Sequence, residues 1–198
     1  MKIGLDLDGV FADFNSSFHT LLCRTCGDRF PADHEPDKPP VWEWPRYFGY
    51  SEEAEAKAWK IAWDSGDFWY RLHTYPGEDK TLETLEAVSD EHDIYFITNR
   101  KGSKTKSQTE QWLLERGVMF PTVLLAKQKE PIIAALKLDV YIDDNLDMMN
   151  SLAKLQDEKL VPETLRLYLR EAKYNQYKRH SRLIAVPSAW AMIQQEGL

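Results

Sequence analysis

The sequence predicts an α/β fold: a parallel sheet with helices on both faces, and a small helical segment inserted after the first strand. Three observations lead there. From Pro76-Gly77 onward, short apolar runs alternate with stretches of helical periodicity. The runs IYFIT, TVLLA and VYI are continuously apolar, as in strands buried on both faces. The stretch from about Asn15 to Tyr75 breaks the alternation, being helical, rich in tryptophan and interrupted by proline.

Each element has its own signal. Lys2–Asp6 is a short apolar strand, and Phe14–Thr25 a helix with Phe14, Phe18, Leu21 and Leu22 along one face. Gly27–Pro45 reads as loop because prolines recur through it. Ser51 is an N-cap, with Glu53–Glu55 in the first turn of a helix that runs to about Trp63 and is ended by Gly66. Then follow a helix over Thr81–Ser89, a strand over Asp93–Thr98 and a helix over Ser103–Arg116, closed by Gly117. Thr122–Ala126 is a strand, Pro131–Leu138 a helix and Val140–Asp143 a strand. The tail is expected to hold helices over Asp147–Lys159 and Pro162–Tyr177, a strand over Arg182–Val186, and a last helix capped by Ser188. The expected division is a core of residues 1–14 and 76–198 and a cap of residues 15–75.

Composition narrows the function classes. Hydrophobic residues at 43% can fill a core and exclude a disordered chain. A net charge of -7 argues against nucleic-acid polymers and leaves room for one small phosphorylated ligand held by local cations. No apolar run approaches the roughly 18 residues of a membrane span. A strand directly after Met1-Lys2 leaves no place for a leader, so a cytoplasmic protein is expected. Cys23 and Cys26, with His19 and His34 nearby, raise a zinc knuckle, but a helix over Phe14–Thr25 would hold both cysteines within it. Ordinary thiols are expected instead. Arg166, Arg170, Lys173, Lys178, Arg179 and Arg182 are expected on the solvated face of a long helix.

The strand ends carry the chemistry. The first ends on Asp6 and Asp8, the second on Thr98 and a third on Asp143-Asp144, while Lys127 and Lys129 follow TVLLA. In open α/β sheets these carboxyl ends meet in one crevice. Clustered carboxylates repel one another unless a cation sits among them, and hard oxygen ligands suit Mg²⁺. A carboxylate can also attack phosphorus to give an aspartyl-phosphate that water hydrolyses. Lysine supplies a point charge for the transferring oxygens, and a threonine hydroxyl can donate to them.

DLDGV, FIT, a lysine before a helix and IDD, in this order, resemble the four motifs of the haloacid dehalogenase (HAD) superfamily of phosphohydrolases. The opening DLDGVFADFN is similar to that of the 5'(3')-deoxyribonucleotidase family, as are the Trp-rich insertion and the GDFWYRLHTYPG that follows it. The resemblance spans roughly residues 1–145. It implies a Rossmann-like core and a Mg²⁺-dependent phosphomonoester hydrolase acting on nucleoside monophosphates through an aspartyl-phosphate. Asp6 resembles the nucleophile and a metal ligand. Asp8 resembles the general acid-base, with its carbonyl also on the metal. Asp144 resembles the remaining direct ligand and Asp143 a supporting group. Thr98, Asn99 and a lysine would bind the phosphoryl group; Lys129, directly before a Pro-started helix, is preferred over Lys127. Phe14, at the family's Asp-Phe position, would stack on a nucleobase, and Arg100 would reach a substrate anion. Most other cap aromatics, Trp59 and Trp63 among them, are expected to pack. One departure stands out: Thr98-Asn99-Arg100 where those relatives read Thr-Ser-Pro. The alternatives are a HAD phosphatase for sugar phosphates or another small phosphometabolite, and a non-catalytic phosphate-ligand binder.

Overall fold

In a computed structural model of the chain, residues 1–29 and 32–198 are described. Six parallel strands form one sheet: β1 (Lys2–Leu5), β2 (Asp93–Thr98), β3 (Thr122–Leu125), β4 (Val140–Asp143), β5 (Arg166–Arg170) and β6 (Leu183–Val186). Their order is β3-β2-β1-β4-β5-β6. The chain thus winds outward from β1 in one direction and, from β4, in the other. That reversal opens a crevice beyond the carboxyl ends of β1 and β4.

Alternation along the strands divides the core. Phe96, Ile142, Tyr168 and Val186 point to one face, where α4 (Glu78–Ala87), α5 (Thr105–Leu114) and α8 (Ala189–Glu196) cover them with Leu82, Leu85, Trp112, Met192 and Ile193. Ile97, Tyr141, Leu167 and Leu169 point to the other, against α6 (Glu130–Leu136) and α7 (Leu146–Asp157). Both faces are therefore apolar, which is why the strands read as continuous hydrophobic runs. Asn145 and Ser188 start α7 and α8 by accepting the backbone N–H groups of Met148 and Ala191, at 3.0 and 3.2 Å.

Between β1 and α4 the chain makes a helical excursion: α1 (Phe14–Cys26), the short α2 (Trp44–Tyr47) and α3 (Glu52–Asp64). Asp13 caps α1 through Ser16 N at 3.0 Å, and Ser51 caps α3 through Ala54 N at 3.2 Å. Phe18 and Leu22 of α1 meet Trp44, Tyr50 and Ala58 in a third apolar cluster. The excursion leaves and returns at one place: Asp13 N donates to His73 O and Tyr75 N to Phe11 O, both at 2.8 Å. The expected Gly27–Pro45 loop holds no helix among the described residues before Trp44, and its residues 30 and 31 lie outside them.

One expected element is different. Pro162–Tyr177 is not a helix but β5 followed by a 3₁₀ turn over Lys173–Asn175. Gln156 closes the turn into β5, its Nε2 donating to Pro162 O at 3.0 Å and Leu165 O at 2.7 Å. The pattern RLYLR then alternates, and the strand is buried between β4 and β6. The six cations expected on one helix face are therefore split: Lys173, Lys178, Arg179 and Arg182 are exposed beyond the strand, while Arg166 and Arg170 lie on it, half-buried. Arg166 pairs with Glu196 at 2.6 Å, and Arg170 lies over the Tyr75 ring at 4.1 Å.

Candidate active site

The site grows out of the strand ends at the crevice. Asp6 follows β1, with its backbone N–H donating to Ile142 O at 3.0 Å, and so lies beside the end of β4. There Asp143 and Asp144 stand, and among the described residues Asp6, Asp143 and Asp144 bring carboxylate oxygens within 4.8 Å of one another, all buried. Gly9 makes this approach possible. Its φ of 81° is left-handed, and a Cβ there would overlap the Asp144 carboxylate.

Lys129, at the start of α6, neutralises part of the cluster. Its Nζ lies 2.7 Å from Asp143 Oδ2 and 2.8 Å from Asp6 Oδ1. Through the second contact the buried Asp6 Oδ1 is ion-paired with the Lys129 ammonium. Asp143 uses both oxygens on the protein: Tyr141 Oη donates to Oδ2 at 2.6 Å and Asn145 N to Oδ1 at 2.8 Å. Tyr174 Oη donates to Asp144 Oδ2, and Asn175 Nδ2 donates to Asp144 O at 2.8 Å. Of the two lysines weighed above, Lys127 is exposed at the rim of the cleft and Lys129 is buried among the carboxylates.

Crowding sets the electrostatics. Burial, then the Asp143 carboxylate, pushes the Asp6 carboxyl well above the usual range, against the pull of Lys129. Burial and Asp143 likewise push Asp144 up to about 7, against the Tyr174 hydroxyl. Burial is the largest influence on Lys129 and acts downward, yet Asp143 and Asp6 together hold it above the ordinary lysine value. Buried carboxylates crowded in this way, with a single lysine among them, suit a hard divalent cation such as Mg²⁺. Asp143 is taken up by the protein, which leaves Asp6 and Asp144, both lining the cleft, as the residues that could hold the ion directly.

Asp8 is placed apart from this cluster. Arg100 Nε donates to its Oδ1 and Oδ2 at 3.1 and 3.0 Å, and Nη2 donates to Oδ1 at 2.8 Å. Arg100 Nη1 donates to Thr109 Oγ1 at 3.2 Å, and the guanidinium lies 5.3 and 5.6 Å from the Trp69 and Trp112 ring centroids. Its side chain is fully buried while Asp8 keeps 22% exposure. Arg100, expected on the substrate, therefore sits behind Asp8 and does not line the cleft, because carboxylate, hydroxyl and two indole faces enclose it. Thr98 Oγ1 stands 3.5 Å from Asp8 Oδ2, and Thr98 and Asn99 line the cleft.

The cleft above these groups has a volume of about 380 Å³, within the size range of small-molecule sites. Its far walls are aromatic: Phe14, Phe18, Trp42, Trp44, Trp59 and Trp69. Phe14 stacks with Phe18 at 5.2 Å, Trp59 at 5.4 Å and Trp69 at 6.0 Å, and remains half-buried. Trp59 packs on Trp63 at 5.7 Å as its i,i+4 spacing predicts, yet it also faces the cleft.

Sequence reasoning missed Tyr141, Thr109, Tyr174 and Asn175. Tyr141 was findable, since it lies two residues before Asp143 on the same side of a strand. Tyr174 and Asn175 were hidden by the helix expected over their segment. Thr109 carries no signal until Arg100 is placed.

Residues 1–178 match the family model described as 5' nucleotidase, deoxy (pyrimidine), cytosolic type C protein. The chain belongs to this nucleotidase family. The chain is also 24% identical over 172 residues to "Putative nucleotidase OB0422" of Oceanobacillus iheyensis, across 82% of this chain and 87% of the relative. Among solved structures, a haloacid dehalogenase-like hydrolase of Burkholderia xenovorans superposes with a TM-score of 0.61 at 13% identity, covering 99% of this chain and 96% of its own. The HAD-hydrolase YfnB of Bacillus subtilis, solved bound to magnesium, superposes at 0.59 with 12% identity, covering 100% and 98%. The nucleotidase fold is therefore the HAD Rossmann-like α/β fold, and the chain is a phosphohydrolase of the 5'-nucleotidase kind. Among its described residues no helix is long and apolar enough to cross a membrane.

Proposed function

We propose that this nucleotidase-family chain hydrolyses 5'- or 3'-(deoxy)nucleoside monophosphates in two steps through Asp6, with Mg²⁺ as cofactor. The observation that carries the reading is the Asp6 carboxylate: buried beside Asp143, Asp144 and Lys129, in the lining of an aromatic-walled cleft. A carboxylate oxygen of Asp6 attacks phosphorus and the bond to the leaving ester oxygen breaks. Asp8 passes a proton to that oxygen, and the nucleoside leaves as a neutral alcohol. Asp8, now a carboxylate, takes a proton from water as the water attacks the aspartyl-phosphate, releasing phosphate and restoring Asp6.

Lys129 and the Thr98 hydroxyl, with Asn99 beside it, stabilise the charge on the phosphoryl oxygens. Asp6, Asp144 and the backbone carbonyl of Asp8 would hold Mg²⁺, and Asp143 keeps Lys129 and Asn145 in place. When bound, the ion supplies Lewis-acid neutralisation of the phosphate and orients it towards Asp6. Arg100 fixes the orientation of Asp8. Residues 1–14 and 76–198 act as the catalytic core and residues 15–75 as a cap that excludes water, with Phe14 offering a ring to the nucleobase.

The test is phosphate release from a panel of nucleoside monophosphates and sugar phosphates, with Mg²⁺ and with chelator, for the wild type and Asp6→Asn. Mg²⁺-dependent turnover of nucleotides that Asp6→Asn abolishes is expected. Preference for sugar phosphates would overturn the substrate assignment, and activity surviving Asp6→Asn would overturn the nucleophile.

A further inference from the structure

Helix α1 carries both cysteines, and their own spacing draws attention to the wrong pair. Cys26 Sγ turns back into the helix and donates to Leu22 O at 2.9 Å. Cys23 faces His19 one turn earlier, Sγ to Nε2 at 3.2 Å, the i,i+4 relation that puts both on one helix face. Gly27 ends α1 with a φ of 80°, and the next residue comes back to the same nitrogen, Asp28 Oδ1 lying 3.3 Å from His19 Nε2. The three donor atoms all lie within 4.8 Å of one another.

A ring nitrogen carries one proton or one lone pair. Here a single Nε2 faces both a sulfur and a carboxylate oxygen, groups that present lone pairs when ionised. A cation among them takes a lone pair from each. One imidazole, one thiolate and one carboxylate form a borderline donor set that suits Zn²⁺ rather than Mg²⁺. Zinc bonds of the usual lengths in a tetrahedron separate nitrogen from oxygen by about 3.3 Å and nitrogen from sulfur by about 3.6 Å. The observed 3.3 and 3.2 Å need only a few tenths of adjustment. Asp28 is 63% exposed at its side chain and His19 15%, so the site lies at the surface within reach of a metal ion in solution.

We propose that His19, Cys23 and Asp28 form a Zn²⁺ site, separate from the phosphate cleft, that ties the end of α1 to the loop beginning at Asp28. The site borders the cleft wall: the His19 ring lies 6.3 Å from Trp44, whose Nε1 donates to Asn15 Oδ1 at 3.0 Å and whose side chain lines the cleft. Bound metal therefore stiffens the support of Trp44.

Chelator-stripped protein titrated with Co²⁺ in excess Mg²⁺ tests this. The thiolate-to-cobalt charge-transfer band reports only sulfur ligation, whatever binds in the carboxylate cluster. A band that saturates at a single equivalent and is displaced by Zn²⁺ is expected. Cys23→Ser should abolish it, His19→Ala should prevent saturation at a single equivalent, and Cys26→Ser should leave it intact. Absence of the band in the folded wild type, its survival in Cys23→Ser, or its loss in Cys26→Ser would each overturn the proposal. A cooperative thermal melt of each variant keeps misfolding from imitating lost ligation.

Discussion

Lys129→Met removes the one lysine buried among three carboxylates. At 2.7 and 2.8 Å each contact is worth about 6 kcal/mol gross at an effective dielectric near 20, most of it offset by the cost of desolvating the charges. Breaking a buried pair from one side costs about 3–5 kcal/mol net, because the partner is left charged and buried. For a chain of this size that lowers Tm by about 6–20 °C. The assay is a thermal melt in chelator and again in excess Mg²⁺. The variant should show the full loss in chelator and gain more from Mg²⁺ than the wild type, since its cluster has lost a positive charge. Adding Asp143→Asn to Lys129→Met should recover part of the loss by removing one of the stranded carboxylates. A loss below about 1 kcal/mol in chelator, or no recovery from Asp143→Asn, would refute the view that Lys129 holds the cluster together.

Three further outcomes follow from the same geometry. Asp144 has a folded value raised from 3.8 to about 7, so the stability it contributes is full below 3.8 and lost as pH rises through about 7. Melts in chelator should fall across that window, Asp144→Asn should flatten the slope, and an unchanged slope in that variant would contradict the assignment. Glu78 is raised by burial above its ordinary 4.5, against the Thr81 hydroxyl and the Ala189 N–H, which its Oε1 accepts at 3.1 Å. Glu78→Gln keeps that acceptor and removes the buried charge, so it should raise Tm relative to the wild type above pH 4.5 and not below it. Arg100→Lys replaces a fork of donors on Asp8 by one point charge. It should lower kcat on the order of 100-fold with KM little changed. A raised KM at unchanged kcat would instead put Arg100 on the substrate.

The strands were legible because burial on both faces writes them as unbroken apolar runs, and because carboxylates stop those runs at the crevice. β5 was not, since RLYLR presents arginines whose partners, Glu196 and the Tyr75 ring, come from distant parts of the chain. That single misreading also hid Tyr174 and Asn175, which reach Asp144 only once the strand sets their direction. Asp6, Asp143 and Asp144 could be grouped from strand order alone, because position beyond a strand is a local property. The place of Arg100 could not. Its choice between solvent and Asp8 depends on Trp69 and Trp112, which lie on segments far apart in sequence and both pack against the guanidinium.

The doorway at Asp13 and His73 has a consequence for how such chains can diversify. Two short hydrogen bonds hold the outgoing and incoming strands of the excursion side by side, so its length does not enter the geometry of the sheet. A different cassette that kept Trp69 over Arg100 could be spliced between these posts while β1 still delivered Asp6 and Asp8 to the same spot. Excursion and sheet could then change independently, with the antiparallel bridge between Ala12 and Thr74 as the seam between them.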